Sequence, residues 1–452
     1  MATNIRAAKM TRHYHLWSIG CQMNAADART LAARLEALGY APCQKAEQAD
    51  VLVLNTCVIR QQAEDKITSM LRHLRPFKAK RPGMTLAVMG CMVGKRELPK
   101  LQEEFPFVDL FLPPSEPDLL LDLLQRHELD AAAGAAAKLR TADDEWPVLP
   151  TSAHGRAITA HVPVVLGCSH ACAYCVIPSR RGGERSRPRK AILTEARRLA
   201  GEGVREITLL GQIVDRYGLD LGDGYELADL LAEIATLPEL LRVRFLTSHP
   251  NWVSDRLLDT VAGSKKICHY LELPVQAGSD EVLKHMRRGY TAQQFRDLVG
   301  RIRARMPGAG INTDVIVGFP GETEAQFMDT YQLLEELRLD AIHNAQYSER
   351  PGTPAARKLP DDVPATEKER RWQMIEDLGK RILGERHAAL RGQVLQVLVE
   401  GRDTKRNRWF GRTPENKLVY FSDAREQLGR IVGVHIEWTG PFTLIGKPAE
   451  GA

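Results

Sequence analysis

Six short apolar runs recur between residues 162 and 348: VPVVLG, REITLLGQ, RVRFLT, YLELPVQ, INTDVIVGFP and AIHNAQYS. Segments with helical spacing, such as ELADLLAEIATL and TAQQFRDLVGRIRARM, separate several of them. This alternation constrains the fold more than any other feature, because strands joined through helices pair in parallel. Roughly six βα units predict a parallel barrel or partial barrel with its chemistry at the carboxyl ends of the strands. The same rhythm opens the chain. HYHLWSIG ends at Cys21 and precedes the helical AADARTLAARLEALGY, DVLVLNT ends at Cys57 and precedes VIRQQAEDKITSMLRHLR, and TLAVMG ends at Cys91. A parallel sheet places its ligands outside the carboxyl ends of its strands, so these three cysteines are expected at one crevice. After Leu110 the rhythm fades into DLLLDLLQRHELD and an alanine-rich stretch with prolines beyond it, which reads as a linker.

The expected organisation is α/β overall. It has an N-terminal parallel βα domain over residues 12–128, a linker over 129–153, a central partial (βα)6 barrel over 154–386 and a small all-β barrel over 387–449. The last is read from QVLQVLVEG, NRWFGRT, KLVYFS and VGVHIEWTG, short alternating strands with glycine-bearing turns. With 452 residues, 44% hydrophobic and 26% charged, the composition is that of globular domains rather than a disordered chain. No apolar run approaches a secretory core or a membrane span, so a cytoplasmic protein without a membrane partner is expected. In a reducing compartment, cysteines grouped in motifs point to metal or redox work rather than to disulfides. The net charge of +5 is too modest to imply nucleic acid unless the positive charge is concentrated locally.

The sharpest motif is C-x3-C-x2-C at Cys168, Cys172 and Cys175, inside GCSHACAYCVIPSRRGGERSRP. A structural zinc site wants four ligands, and no nearby cysteine completes the set, although His170 lies inside the loop. An iron–sulfur cube takes one thiolate per iron, so three leave one iron open to a small molecule. Cys43 and Cys268 recur in no pattern and read as small core residues.

C-x3-C-x2-C with Tyr174 before its last cysteine resembles the signature of radical S-adenosylmethionine enzymes. In that family the amino and carboxylate groups of S-adenosylmethionine fill the vacant iron site, and one electron cleaves the sulfonium to a 5′-deoxyadenosyl radical. SIGCQMN, LNTCVIRQQAEDK, MGCM, TSHP, LPVQAGSD, TDVIVGFPGET and YSERPGTPAA extend the likeness over most of the chain to the methylthiotransferases, and most closely to the MiaB-type branch acting on tRNA. The resemblance implies a methylthio group added at C2 of an isopentenylated adenosine beside the anticodon. It implies two 4Fe-4S clusters, one on Cys168, Cys172 and Cys175 and a second on Cys21, Cys57 and Cys91. Two S-adenosylmethionine molecules are used, one as methyl donor and one as radical source. The partners it implies are tRNA and an electron donor whose identity the sequence does not disclose, and a monomer is expected. A C2–H bond is neither acidic nor bonded to a leaving group, which is why radical chemistry is wanted.

LLGQ and IVGFPGET end strands, and Gln212 and Gly318 read as cofactor-lining; glycines that merely turn the chain are the alternative. The family commonly has asparagine after that glutamine, where this chain has Ile213, a side chain that offers no polar contact. Arg181, Arg185 and Arg187 are candidates for phosphate or cofactor carboxylate, against a solvated surface run as the bland reading. In GRDTKRNRWFGR, Arg406, Arg408 and Arg412 flank Trp409 and Phe410, a mix suited to RNA, and the segment resembles the TRAM domain of RNA-modifying enzymes. Related methylthiotransferases that act on threonylcarbamoyladenosine or on a ribosomal protein remain alternatives. So does a non-catalytic iron–sulfur protein that binds RNA or carries electrons.

Overall fold

The computed structural model describes residues 12–58, 61–94, 98–131 and 157–449. The chain divides into two compact units, Met1–Gly155 with Ser179–Gly182, and Arg156–Pro178 with Gly183–Ala452.

The first unit holds a five-stranded parallel sheet. Its strands are β1 (His13–Ser18), β2 (Ala41–Pro42), β3 (Val51–Thr56), β4 (Thr85–Gly90) and β5 (Leu110–Leu112), in the order β2-β1-β3-β4-β5. Every residue of β3 and β4 is buried, as continuous apolar runs in a central parallel strand should be. Helices α1 (Gln22–Ala37) and α2 (Gln61–Lys80) follow β1 and β3. Tyr14, Leu31, Leu35, Val51, Val53, Met89 and Leu112 pack in the core of this sheet. The expected fading after Leu110 does not occur: β5 pairs with β4, and a helix over Asp118–Ala131 follows. Only three residues of β5 carry the signal, so the apolar pattern is too short to read as a strand. The linker expected at 129–153 lies outside the described residues from 132 onward.

The second unit contains six parallel strands. β6 (Thr159–Pro163), β9 (Glu206–Leu210) and β10 (Arg242–Phe245) form one sheet, and β11 (Tyr270–Glu272), β12 (Gly310–Val317) and β13 (Ala341–Gln346) another. A parallel bridge from Val243 to Ile267 joins the two into one arc, the partial barrel the sequence predicts. Helices over Arg189–Gly201, Leu227–Ala235, Asp255–Gly263, Ala292–Arg305 and Glu324–Leu337 supply the crossovers. The first run is shorter than VPVVLG suggests. After Pro163 the chain leaves the barrel, and β7 (Val165–Leu166) pairs antiparallel with β8 (Arg185–Ser186), clamping the base of the cysteine loop.

A helix over Ala365–Ala388 leads into a closed barrel of β14 (Val394–Asp403), β15 (Arg408–Arg412), β16 (Leu418–Phe421), β17 (Ile431–Thr439) and β18 (Leu444–Pro448). β18 is a fifth strand beyond the four read from sequence, which closes the barrel by pairing with both β16 and β17. This barrel packs on the amino-terminal side of the parallel strands. Arg242 donates to the carbonyls of Arg412 at 2.5 Å and Gln396 at 2.8 Å. Arg244, ion-paired with Glu206 at 3.0 Å, donates to Pro414 O at 2.9 Å. Among the described residues no helix is long and apolar enough to cross a membrane.

Candidate cofactor sites

In the first unit, parallel register explains how three distant cysteines meet. Ser18 aligns with Asn55, and Thr56 with Gly90, so the residues just beyond β3 and β4, Cys57 and Cys91, stand side by side. The Cys91 amide donates to Thr56 O at 3.1 Å. Cys21 sits at the N-cap of α1, and both Cys21 and Cys57 act electrostatically on Cys91. Two glycines make the approach possible. At Gly20, with φ of +138°, an added Cβ would lie 2.7 Å from the Cys57 Cβ; at Gly90, with φ of +108°, it would lie 2.5 Å from Thr56 O. Only glycine fits such positions.

One arginine belongs to this crevice. Arg181 donates to Asp27 at 3.1 Å, Asn24 at 3.0 Å and Ser115 at 3.2 Å, and its guanidinium also reaches the Cys91 thiol. Arg181, a candidate for phosphate or cofactor carboxylate by sequence, is therefore committed to a buried network rather than to the solvated surface. Arg187 is likewise internal, paired with Glu195 at 2.8 Å and bonded to Pro163 O. Of the three, Arg185 alone is exposed.

In the second unit, Cys168, Cys172 and Cys175 lie in the loop after β7, where Cys172 and Cys168 both act on Cys175. Burial pushes the Cys175 thiol up to about 12 and the Cys91 thiol up to about 11. Holding either as a thiolate requires compensating positive charge. Arg288 supplies it here, buried and donating to the Cys172 sulfur at 3.2 Å, with its other nitrogens on Tyr290 and Pro274 O. The loop is further fixed by Ala173 N on Met286 O and by Ala355 N on Ala173 O.

Around this loop stands a polar group that the sequence reading did not weigh. His170 and His249 have ring centroids 4.6 Å apart, with Trp252 4.7 Å from His249 and Arg216 over the Trp252 ring. Burial drives His249 down to about 2 and Asp215 up to about 7, the latter despite two bonds from the His249 amide. Between those two values both side chains are held neutral, as groups shielded from water. His170 Nε2, His249 Nε2, Ser248 Oγ and Gln276 Oε1 are buried without a partner among the described residues. Such atoms are costly to leave unmet and mark where a polar ligand would bond. The signal for His249 lies in TSHP, one of the segments that carry the family likeness; that for Arg288, in HMRRGY, is an ordinary arginine pair.

Gln212 lies half-buried just past β9, at the expected end of the barrel. Ile213 beside it is 6% exposed, so that position packs inward. Gly318 has φ of +70° and its amide bonds Glu322 at 2.6 Å; a Cβ there would meet the Lys368 side chain at 2.4 Å. Of the two cysteines read as core, Cys268 is 2% exposed, but Cys43 is only half-buried at the sheet edge, its thiol on the carbonyls of Tyr14 and Lys45. β2 is too short to cover it.

The two triads fit an iron–sulfur cube in donor chemistry: all eight cysteines are thiols rather than disulfides, and each triad gathers three with a guanidinium on one sulfur. No group of three or more His, Cys, Asp or Glu among the described residues is set to hold a single metal ion. A cube spreads its thiolates over separate irons and does not ask for that convergence.

In the terminal barrel the burial alternates along β15. Trp409 is 4% exposed, in the core, with Nε1 on Asp423 O at 3.1 Å, while Phe410 lies on the other face against Tyr420. Trp409 therefore cannot stack on a base. Arg412 is drawn to Glu400 at 3.7 Å and to Asn416. Trp438, 50% exposed, and Phe442, 67% exposed, are the aromatic planes that face solvent, and neither stood out in the sequence.

Comparison with known proteins agrees with this architecture. Residues 162–334 match the Radical SAM superfamily, residues 13–113 the uncharacterized protein family UPF0004 and residues 388–449 the TRAM domain. A radical S-adenosylmethionine methyltransferase, TsrM from Kitasatospora setae, shares the fold over 77% of each chain with a TM-score of 0.55 at 15% identity. The class is thus a radical SAM protein with a TRAM domain at its C-terminus. A tRNA-2-methylthio-N(6)-dimethylallyladenosine synthase of Roseiflexus sp. is 44% identical over 449 residues, 98% of this chain and 91% of that one. Another, of Dehalococcoides mccartyi, is 42% identical over 96% of this chain and 98% of its own. The chain belongs to the family of tRNA-2-methylthio-N(6)-dimethylallyladenosine synthases.

Proposed function

We propose that this protein adds a methylthio group to C2 of N6-dimethylallyladenosine next to the anticodon of tRNA, as a monomer supplied with electrons by a separate donor. The reading is carried by one observation: two cysteine triads at the carboxyl ends of parallel strands, in a chain 44% identical to a named synthase over nearly its full length. Cys168, Cys172 and Cys175 hold one 4Fe-4S cluster and Cys21, Cys57 and Cys91 the other. When bound, the first cluster with S-adenosylmethionine supplies the radical that general acid–base groups have no means to generate. The chain's own residues position and shield. Arg288 neutralises the Cys172 sulfur, and the unmet atoms of His249, Ser248 and Gln276, together with Gln212 and the Gly318 backbone, bind the polar parts of S-adenosylmethionine. Buried Ile213 and the half-buried Trp252 ring against His249 keep water away from them.

The functional division follows residues 12–128, 154–386 and 387–449, and the last of these grips tRNA. Trp438 and Phe442 offer planes for base stacking, worth about 1–3 kcal/mol per base. Arg406 and Arg408 offer charge to phosphate. Alanine at both is expected to weaken tRNA binding and to reduce the log–log salt slope by roughly 0.7–0.9 for each phosphate that is no longer neutralised. Alanine at Arg412, already paired with Glu400, leaves that slope unchanged. A titration of binding against salt concentration checks both.

Nucleoside mass spectrometry of tRNA from cells lacking this protein, with and without its restoration, tests the function. Loss of the methylthio mark from dimethylallyladenosine, and its return, is the expected result. Loss from threonylcarbamoyladenosine, or from no tRNA nucleoside, overturns it.

A further inference from the structure

We infer that Arg181 is a positioning residue for the cluster held by Cys21, Cys57 and Cys91: anchored by Asp27, Asn24 and Ser115, it places its charge beside the triad and sets the reduction potential of that centre. The inference rests on the proposed ligand set.

The network is built rather than incidental. The side chains of Arg181 and Asp27 are 3% and 5% exposed, and an ion pair this deep is costly unless every contact is well made. Asp27 takes Arg181 on one oxygen and the Ser115 hydroxyl, at 2.6 Å, on the other. Ser115 adopts φ of +64°, a left-handed backbone that non-glycine residues rarely take, to reach both. Asn24 accepts from Arg181, lies 3.6 Å from the Cys21 sulfur and donates to Thr56 O at 2.7 Å, next to Cys57. Arg181 and its partner Asn24 thus touch or adjoin all three cysteines, while Arg181 Nε remains buried without a partner among the described residues.

Cluster potentials respond to net charge and to hydrogen bonds on sulfur. Reduction adds one negative charge to a centre already bearing three thiolates, so a guanidinium on Cys91 favours the reduced form. Asp27, paired with Arg181 at 3.1 Å, opposes it with its own negative charge. The two residues must therefore act with opposite sign, which a pair that merely staples the loop would not do.

The test uses the full chain with Cys168, Cys172 and Cys175 all changed to alanine, so that one cluster alone gives a signal. After anaerobic reconstitution, its midpoint potential is read by EPR during a dithionite titration. Arg181→Met is expected to shift the reduction equilibrium at least tenfold toward the oxidised form, ~59 mV for one electron. Asp27→Asn is expected to shift it the other way, and Arg181→Lys to fall between parent and Arg181→Met. Potentials that stay put, or move together, overturn the inference while leaving the ligand set standing. Absence of iron from the parent overturns the ligand set itself. If Arg181→Met does not assemble a cluster, Asp27→Asn decides: a positive shift supports the role and an unchanged potential removes it.

Discussion

Alanine at Cys168, Cys172 or Cys175 is expected to abolish both 5′-deoxyadenosine formation and methylthiolated tRNA, and to lower iron to about half of the parent's. Each of these thiols lies in one tightly clamped loop, so the loss of any sulfur leaves two ligands, and the loss of Cys172, on which Arg288 is placed, also leaves a buried guanidinium without its anion. That uncompensated charge penalises assembly further. Iron and sulfide per chain after anaerobic reconstitution, with the yield of 5′-deoxyadenosine, measure the effect. Undiminished 5′-deoxyadenosine from the Cys172→Ala protein would exclude this loop as the site of radical generation.

Alanine at Cys21, Cys57 or Cys91 should separate the two halves of the chemistry. Iron again falls by about half, but reductive cleavage of S-adenosylmethionine persists, and methylthiolation of tRNA is lost. The two triads lie in different compact units, each with its own core, so removal of one set of ligands leaves the packing around the other intact. Two controls bound the result. Cys268→Ala, at a buried site, keeps both clusters with a stability loss of about 1 kcal/mol, and Cys43→Ala, half-exposed, changes stability by no more than ~0.5 kcal/mol. A Cys57→Ala protein that retains full iron and makes product would refute the crevice at the ends of β1, β3 and β4.

Sulfur chemistry is written locally in this chain, while the charge that manages it is not. Arg288 lies 116 residues from Cys172, and Arg181 lies 154 from Asp27. Nothing in HMRRGY or SRRGGERSRP distinguishes these arginines from surface ones, because their roles depend on partners that only the folded chain supplies. Of the candidates for phosphate or cofactor carboxylate, Arg181 and Arg187 are buried on internal partners for that reason. The terminal barrel carries the same lesson. Strict alternation along RWFGR says that Trp409 and Phe410 face opposite ways, but it does not say which face is the core. Closure of the barrel by β18 turned Trp409 inward and left Trp438 and Phe442 exposed.

The parallel architecture was legible in the residues alone, as was the position of Cys57 and Cys91 just past strands and the grouping of Cys168, Cys172 and Cys175 in one loop. Hydrophobic periodicity fixes element type over a few residues, and a cysteine just beyond a strand of a parallel sheet, as Cys57 and Cys91 are, emerges at the carboxyl edge of that sheet. Tertiary structure alone decided that Thr56 aligns with Gly90, that Gly20 and Gly90 let Cys21 and Cys91 close on Cys57, and which arginines face sulfur rather than water. Those outcomes follow from strand register and burial, which are properties of pairs of segments and are set only when the segments meet.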